Sequence, residues 1–587
     1  MQFRYRKKKR TDTGTVILHW LLAVSLALSV LTGLRFAVDM PDTGYLSIVA
    51  PYLPVAKIWI IHILAGVTLI GVAVAYLLYL RNAGLFRRVA LDRTRLAALK
   101  CPGPARWSAV NVLLYWLFFA SLAVQIVTGV ILHRGYGGVI VTLHLWATWA
   151  ILFYAVSHVL AHLAMGGLGQ VLRIVRPSQI PAAADQGSAS LSGVAMFVLS
   201  ALIGGAAAVA YLYADHASRD VLYVGRIDKP AAADLGPDLW GPAWRDAPVL
   251  HVHTNQGVNL DGSGASLVDI RALHDEDTVY FAFTWEDPTR SMKHAPLLKT
   301  QNGWRALFSE SRDERAARRQ AVVGKSEDMR AEQTNFEGAL NEDKFAFMLA
   351  NVEKPFGPGA FHPGTHPLPD KPPSASGRGM HYTEDGSAVN VWLWRAGGLD
   401  SGRCENDRVG PATRPTAAEL HGASLYKGGF ATKPEQSVAY ENIALSSPRD
   451  PSAPAQPLRL PLNVAASRVA LGTIDLDPDH GDAENARWAM REDESAPYST
   501  ELDARIPIGT IVPGMIAIAP RPSQPTDVLC TARWAAGRWT LLARRKLDTK
   551  QGDDVVIGDQ TFMWVGVFDH TLANHTRHIR PFKLEMN

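Results

Sequence analysis

A chain of 587 residues, 48% of them hydrophobic, is too long for one domain, and its formal charge of +4 is too mild to point to a nucleic-acid partner. Three cysteines exclude a disulfide scaffold, and no G-x-S-x-G, phosphate-loop, dinucleotide or zinc-protease motif gives substrate chemistry a visible site. The near-zero mean hydropathy averages two unlike parts, one built for lipid and one for water.

In chain order, apolar runs fall at 16–36, 58–80, 109–132, 139–163 and 193–213. Each is near the ~20 residues that a helix needs to cross a hydrocarbon core of ~30 Å. The opening MQFRYRKKKR carries six Lys or Arg, and the stretch from Arg81 to Arg106 carries seven against one acid, Asp92. Positive charge stays inside, so both belong in the cytoplasm, as do Arg173 and Arg176 after the fourth span. An inside N-terminus and five spans put everything after residue 213 outside, in the periplasm of a bacterium. The first span is longer than a signal-peptide core, and no small-residue cleavage site follows it.

Histidines recur inside these spans. His19 lies near the cytoplasmic end of the first, His62 near the outer start of the second, and His144 and His158 on the fourth. The fourteen residues between His144 and His158 span about 21 Å and about 40° of azimuth, so the two share one face at two depths. His62 pairs with His144 at the outer level and His19 with His158 at the inner level. Two bis-imidazole pairs stacked across a bilayer are what two b-type haems require, and polar groups left unliganded at such depth are costly. Gly33 and Gly66 leave room for a flat macrocycle, and Thr128 with Gly129 repeats the Thr32 and Gly33 pair at similar depth. His162 reads as an interfacial histidine, with a quinone site as the sharper alternative; His133 reads as interfacial.

HisTrp at 19 and 20, ThrGly at 32 and 33, His62, and His144 with His158 fourteen later resemble the diheme cytochrome b subunits of bacterial hydrogenases and formate dehydrogenases. The resemblance covers about residues 10–175. It implies a four-helix diheme bundle that exchanges electrons with the quinone pool, with a quinone site beside the inner haem. The fifth span lies outside that pattern and reads as a tether.

The remainder reads as β. VDIRAL at 268–273, VYFAFTW at 279–285, VNVWLWRA at 389–396 and FMWVGVFD at 562–569 are short, β-branched or aromatic, and bounded by turn residues. A charged stretch from Ser309 to Gln333 predicts an exposed helix or insertion, and the Pro- and Gly-rich stretches 355–379 and 445–463 predict long loops. His251 and His253 share a strand face, a weak candidate for a metal site. Cys404 and Cys530 share the oxidising side and are able to form one disulfide, whereas Cys101 is cytoplasmic and free.

DLWGPAWRDAPV followed by FAFTWED, then GMHYTEDGSAVNVWLWRA, then GRWTLLARRKL and MWVGVFDHTLANHTRHIRPFKLEMN, resemble in that order the haem-binding subunit of ethylbenzene dehydrogenase and its relatives. The resemblance implies a β-sandwich holding a haem b between a Met ahead of the WxW strand and a Lys or His ahead of the last strand. Those positions are Met380 and His575, with His578 as the alternative. Some relatives carry CxxCH before the Met; here the region reads PGAFHPGTHP, which excludes a covalent c-type haem there. His362 and His366 in that stretch read as surface loop.

The chain is thus expected to comprise a membrane all-α diheme bundle at 1–175, a linker with a fifth transmembrane helix at 176–213, and a periplasmic all-β sandwich at 214–587. The expected function is electron transfer between the quinone pool and a periplasmic redox protein by a multihaem b-type cytochrome of the inner membrane. The alternatives are a haem-anchored binding module that transfers no electrons and a periplasmic reductase with an open haem or metal site.

Overall fold

The computed structural model describes residues 10–38, 44–54, 58–134, 139–179, 193–228, 242–255, 257, 259–307, 340–353, 382–383, 386–421, 426–445, 455–477, 480–519, 521–572, 574–578 and 580–587. The chain forms two units, residues 1–37 with 52–218 and residues 38–51 with 219–587.

The first unit is built on five helices: α1 (Thr13–Val38), α2 (Ile58–Asn82), α3 (Pro104–His133), α4 (Val139–Gly166) and α5 (Gly193–Ala217). All five are long and apolar enough to cross a membrane. Their outward surface is apolar too, with Leu21, Trp146, Phe153 and Leu202 exposed, as a lipid-facing surface requires. α1 opens on a polar anchor. The Asp12 carboxylate accepts from the Thr15 backbone N–H at 2.8 Å, the Thr15 hydroxyl at 2.9 Å, the Tyr79 hydroxyl at 2.7 Å and Arg88 at 3.0 Å. Burial disfavours the charge on Asp12, but these bonds win and hold its pKa below the usual carboxylate value. Because Tyr79 is on α2, the anchor also ties the first two helices together at one end.

The fifth helix is more than a tether. α5 lies against α2 through small residues, and the backbones approach so closely that a Cβ built on Gly204 would stand 2.3 Å from the Gly71 carbonyl oxygen and 2.8 Å from Ala75 Cβ. Lipid tails are as apolar as leucine, so helices in a bilayer gain by close packing, and small residues permit it. At the other end of α5, Asp215 meets His133 of α3 at 3.4 Å.

In the second unit, the first long sheet strand β1 (Val221–Arg226) is followed by β2 (Leu250–Thr254), β3 (Ser266–His274), β4 (Thr278–Glu286), β5 (Lys344–Ala350), β6 (Val389–Arg395), β7 (Arg403–Val409), β8 (Val528–Ala535), β9 (Arg538–Lys546), β10 (Phe562–Phe568) and β11 (Phe582–Met586). With Phe430–Ala431 they make a 12-stranded sheet in the order β6, β5, β10, β11, β1, β3, β4, β9, β8, β7, and β6 also pairs β7. The two faces of the expected sandwich are therefore one sheet closed on itself through the β6–β7 pairing. Its interior is aromatic: Trp285 stacks on Phe345 at 4.7 Å, Phe283 meets Phe347 at 4.7 Å, and Trp394 meets Trp539 at 4.8 Å.

β4 is buried almost throughout. Its Phe281, Phe283 and Trp285 face the interior, while Tyr280 and Ala282 pack outside under Trp244 from the short helix Pro242–Arg245. Between β7 and β8, as between β10 and β11, only two residue pairs are in register, here Arg403 with Leu529 and Cys404 with Val528. There Cys404 and Cys530 are joined by a disulfide with Cα atoms 5.6 Å apart. It closes a loop of 126 residues, which on the chain-entropy account contributes about 4–5 kcal/mol.

Two expectations about loops fare differently. The expected loop at 445–463 includes strands: Ile443–Leu445 pairs antiparallel with Ala455–Pro457, and Arg459–Pro461 with Ser495–Pro497. Proline is tolerated at the ends of such short strands, and Pro457 and Pro461 are each the last residue of theirs, so the Pro-rich composition misled. The predicted helix at 309–333 and the loop at 355–379 lie outside the described residues.

The α2–α5 packing is testable in the detergent-solubilised full chain. Gly204→Leu should lower the Tm of the membrane unit, at a cost of about 1–3 kcal/mol for overpacking. Gly205→Leu, where a Cβ meets nothing within 4 Å, should leave it unchanged. Equal Tm values for the two variants would rule the close approach out.

Candidate functional sites

Histidine is an uncommon choice for a lipid-embedded helix, and the membrane unit brings its histidines together in matched settings. His62 on α2 and His144 on α4 have ring centres 6.3 Å apart, with ring planes at 64°. Each is met by a threonine from a neighbouring helix: His62 Nδ1 lies 2.9 Å from Thr32 Oγ1 of α1, and His144 Nδ1 lies 2.8 Å from Thr128 Oγ1 of α3. The direction of these bonds follows from a second one. Thr32 donates its hydroxyl proton to the Leu28 carbonyl at 2.6 Å, and Thr128 donates to the Val124 carbonyl at 2.6 Å. A hydroxyl whose proton is spent accepts, so each Nδ1 carries hydrogen and each Nε2 keeps a lone pair. Glycine completes both settings. A Cβ on Gly33 would sit 3.3 Å from His62 Cε1, and one on Gly129 would sit 3.4 Å from His144 Cε1.

Two imidazoles bound to one metal ion from opposite sides, each at about 2 Å, have ring centres about 6 Å apart. The His62–His144 separation fits an axial pair for haem iron, and the Gln125 side-chain amide also reaches the His144 ring, 3.1 Å from Nε2.

The other level is built around Asn111 of α3. Its Oδ1 accepts from His158 Nδ1 at 2.8 Å, which leaves His158 Nε2 free, and its Nδ2 donates to His162 Nε2 at 3.4 Å. His162 must then carry its proton on Nδ1, and that atom is buried without a partner. Tyr154 stacks on His158 at 5.2 Å and Tyr115 lies 5.5 Å away, while His19 interacts electrostatically with both His158 and His162. Asn111, Thr32 and Thr128 are the orienting groups. The repeated Thr–Gly pair was visible in the sequence as space for a macrocycle, but its bonding role was not, and nothing in the sequence singled out Asn111.

In the second unit the segment between β10 and β11 carries His570, His575 and His578. Thr576 docks this segment onto β10, its N–H donating to the Val567 carbonyl at 2.8 Å and its hydroxyl accepting from Val567 N–H at 3.0 Å. His575 is thereby laid over Phe568, ring centres 4.6 Å apart, against Gly566, where a Cβ would stand 2.9 Å from His575 Nδ1. His575 Nδ1 donates to the Thr576 carbonyl at 2.7 Å, so Nε2 is the nitrogen with a lone pair to offer. His578 has no nitrogen to spare: Nε2 accepts from Val565 N–H at 2.9 Å and Nδ1 donates to the Arg580 carbonyl at 2.7 Å. Lys344, which sequence reading missed, places its ammonium 5.1 Å over Phe568 and donates to the Leu572 carbonyl at 3.1 Å. Burial pushes Lys344 down to about 8.

Met380, His362 and His366 lie outside the described residues. His251 is exposed and pairs with Asp269 at 2.7 Å, and neither it nor His253 belongs to a group of three metal-ligating side chains among the described residues.

Burial pushes His578 down to about 4. In the unfolded chain it titrates near 6.5, so below that pH the unfolded state takes up a proton that the folded state refuses, and stability falls as pH drops from 6.5 towards 4. The loss is up to about 3 kcal/mol at 1.36 kcal/mol per pH unit. His578→Gln should flatten this part of the Tm profile of the full chain between pH 7 and pH 5, and an unchanged slope would refute the assignment.

Comparison with known proteins finds one family for each part of the chain. The family described as prokaryotic cytochrome b561 matches residues 10–177, and the family described as ethylbenzene dehydrogenase matches residues 241–580, more than half of the chain. No curated protein matches. Among solved structures, one described as a carbohydrate-binding protein from Bacteroides uniformis ATCC 8492 is 7% identical and covers 63% of this chain and 100% of its own, at a TM-score of 0.24, too low to inform fold or function. The chain is a multi-pass membrane protein with a b-type cytochrome domain of the prokaryotic cytochrome b561 family, and it belongs, by the match that spans most of its second unit, to the ethylbenzene dehydrogenase family.

Proposed function

We propose that this protein is a multihaem b-type cytochrome of the bacterial inner membrane that carries electrons between the quinone pool and a periplasmic redox protein. The observation that carries the reading is the doubled arrangement of Thr32, Gly33 and His62 and of Thr128, Gly129 and His144, which presents two imidazoles 6.3 Å apart, each with its Nδ1 engaged by a threonine. Haem, when bound, supplies reversible one-electron exchange. In this proposal His62 and His144 hold the outer haem b, His19 and His158 the inner one, and Met380 with His575 a third in the periplasmic domain.

The residues of the chain fix ligand orientation and exclude water. Thr32, Thr128 and Asn111 hold the ring tautomers, and the apolar faces of α1 to α4 keep the surroundings at low dielectric. His162 supports the quinone assignment: its Nδ1–H is a buried donor with no acceptor, the group that a quinone carbonyl would satisfy. His575 is favoured over His578 because ligation by His578 would strand the buried Val565 N–H. With the basic loops inside, quinone is met near the cytoplasmic face and the partner in the periplasm.

Reduced-minus-oxidised spectra of the purified full chain test the assignment. His144→Ala should remove one membrane b-haem signal and His158→Ala the other, while Thr32→Val and Thr128→Val should each weaken retention of the His144-dependent haem by about 10- to 100-fold. Should His144→Ala and His158→Ala abolish the same signal, or neither, the two-level pairing fails. His162→Leu should slow reduction by added quinol and leave the spectra unchanged; an undiminished rate removes His162 from the quinone site.

A further inference from the structure

The ends of three strands converge on a buried acidic group that the electron-transfer reading does not use. Asp343 precedes β5, Asp569 and His570 follow β10, and Asp287 follows β4. Asp343, Asp569 and Asp287 are 0%, 2% and 0% exposed. Asp343, Asp569 and His570 each offer a ligating atom, and these atoms lie within 4.8 Å of one another. Donors about 2.1–2.5 Å from one shared ion cannot stand more than about 5 Å apart, so the group has the span of a metal site.

A second observation is independent of this clustering. Two oxygens beside the group are buried with nothing to bond. One is Asp287 Oδ2, on a carboxylate whose charge acts on both Asp343 and Asp569. The other is the hydroxyl of Ser291, 4% exposed, on a residue whose own N–H donates to Asp343 Oδ2 at 2.7 Å. Orphaned buried oxygens are rare in folded proteins and call for a water or an ion.

The remaining bonds are few for so much charge. Asp343 accepts from Trp539 Nε1 at 3.1 Å and from His570 N–H at 3.0 Å, Asp569 accepts from Leu260 N–H at 2.6 Å, and His570 Nδ1 pairs with Asp569 Oδ1. Burial and mutual repulsion both disfavour the negative charge on Asp343 and Asp287.

We propose that Asp343, Asp569 and His570, with Asp287 and Ser291 beside them, bind one hard divalent cation, Ca2+ or Mn2+, at the end of the β-barrel from which the segment bearing His575 departs. Carboxylate and hydroxyl oxygens suit these ions, and a single imidazole among them is acceptable to Mn2+. The cation offsets the negative charge that burial and mutual repulsion disfavour on Asp343 and Asp287, and it joins β5 to the base of the 570–578 segment. The site does not depend on haem at His575.

The test uses the full chain in detergent, stripped with EDTA and dialysed against metal-free buffer. Equilibrium dialysis against Ca2+ and, separately, Mn2+ should return about one ion per chain, and the Tm should rise with the logarithm of cation concentration. Asp343→Asn and Asp569→Asn should abolish both effects, whereas Asp475→Asn, in the exposed Asp475–His480 pair, should abolish neither. If the two buried variants fail to fold, the wild-type stoichiometry decides alone. No ion bound and a Tm indifferent to chelator would overturn the proposal in favour of a cluster of protonated acids. So would loss of binding in Asp475→Asn, or binding of Zn2+ alone, which would mean a softer site led by the imidazole.

Discussion

An imidazole inside a bilayer has two nitrogens and no water to satisfy them, and the membrane unit answers that constraint the same way three times. One nitrogen is bonded to a group on a neighbouring helix, and the other is left with its lone pair. For His62 and His144 the group is a threonine hydroxyl whose proton already belongs to the carbonyl one turn before it; for His158 it is Asn111 Oδ1. The bond does more than satisfy a donor, because it decides which nitrogen can bind metal. Everything else in the helical unit serves the spacing of these rings: glycines that let His62 and His144 lie against their partner helices, and tyrosines that flank His158.

The same economy governs the attachment of the fifth helix. A helix that merely delivered the chain across the membrane would need length and apolarity alone. α5 instead meets α2 with backbone nearly touching backbone at Gly71 and Gly204, and it offers Asp215 to His133. A carboxylate at such a place costs little when it faces an imidazole and much when it does not. α5 therefore stiffens the helix that carries His62.

Much of this was legible in the sequence because membranes simplify the problem. Apolar length marks the spans, basic loops orient them, and helical geometry converts the interval from His144 to His158 into depth and azimuth. The sheet strands were legible for a similar reason, since runs such as VYFAFTW have no alternative but burial. What stayed hidden involves partners distant in sequence. Asn111 lies 47 residues from His158, and Asp343 lies 226 from Asp569, a distance no local pattern spans. His575 and His578 look alike in the string HTRH, and they differ only in what surrounds them: the Val565 N–H claims one and leaves the other free. The Pro-rich stretch at 445–463 misled because composition records a residue's preference and not the strand-end position that tolerates it.

The two units place their candidate ligands by different means. Ligands on helices inherit their accuracy from the helix, whereas a ligand on a loop is only as well placed as the loop's anchors. The segment from His570 to His578 is held at its far end by both nitrogens of His578, in the middle by Thr576 along β10, and at its base by Asp569 and His570. Gly566 admits the His575 ring at a distance that no side chain would permit. The far end and the middle are secured by neutral hydrogen bonds, but the base is secured by buried carboxylates that repel one another. A segment anchored in this way is firm at one end and conditional at the other, and the condition is the charge that occupies the space among Asp287, Asp343 and Asp569.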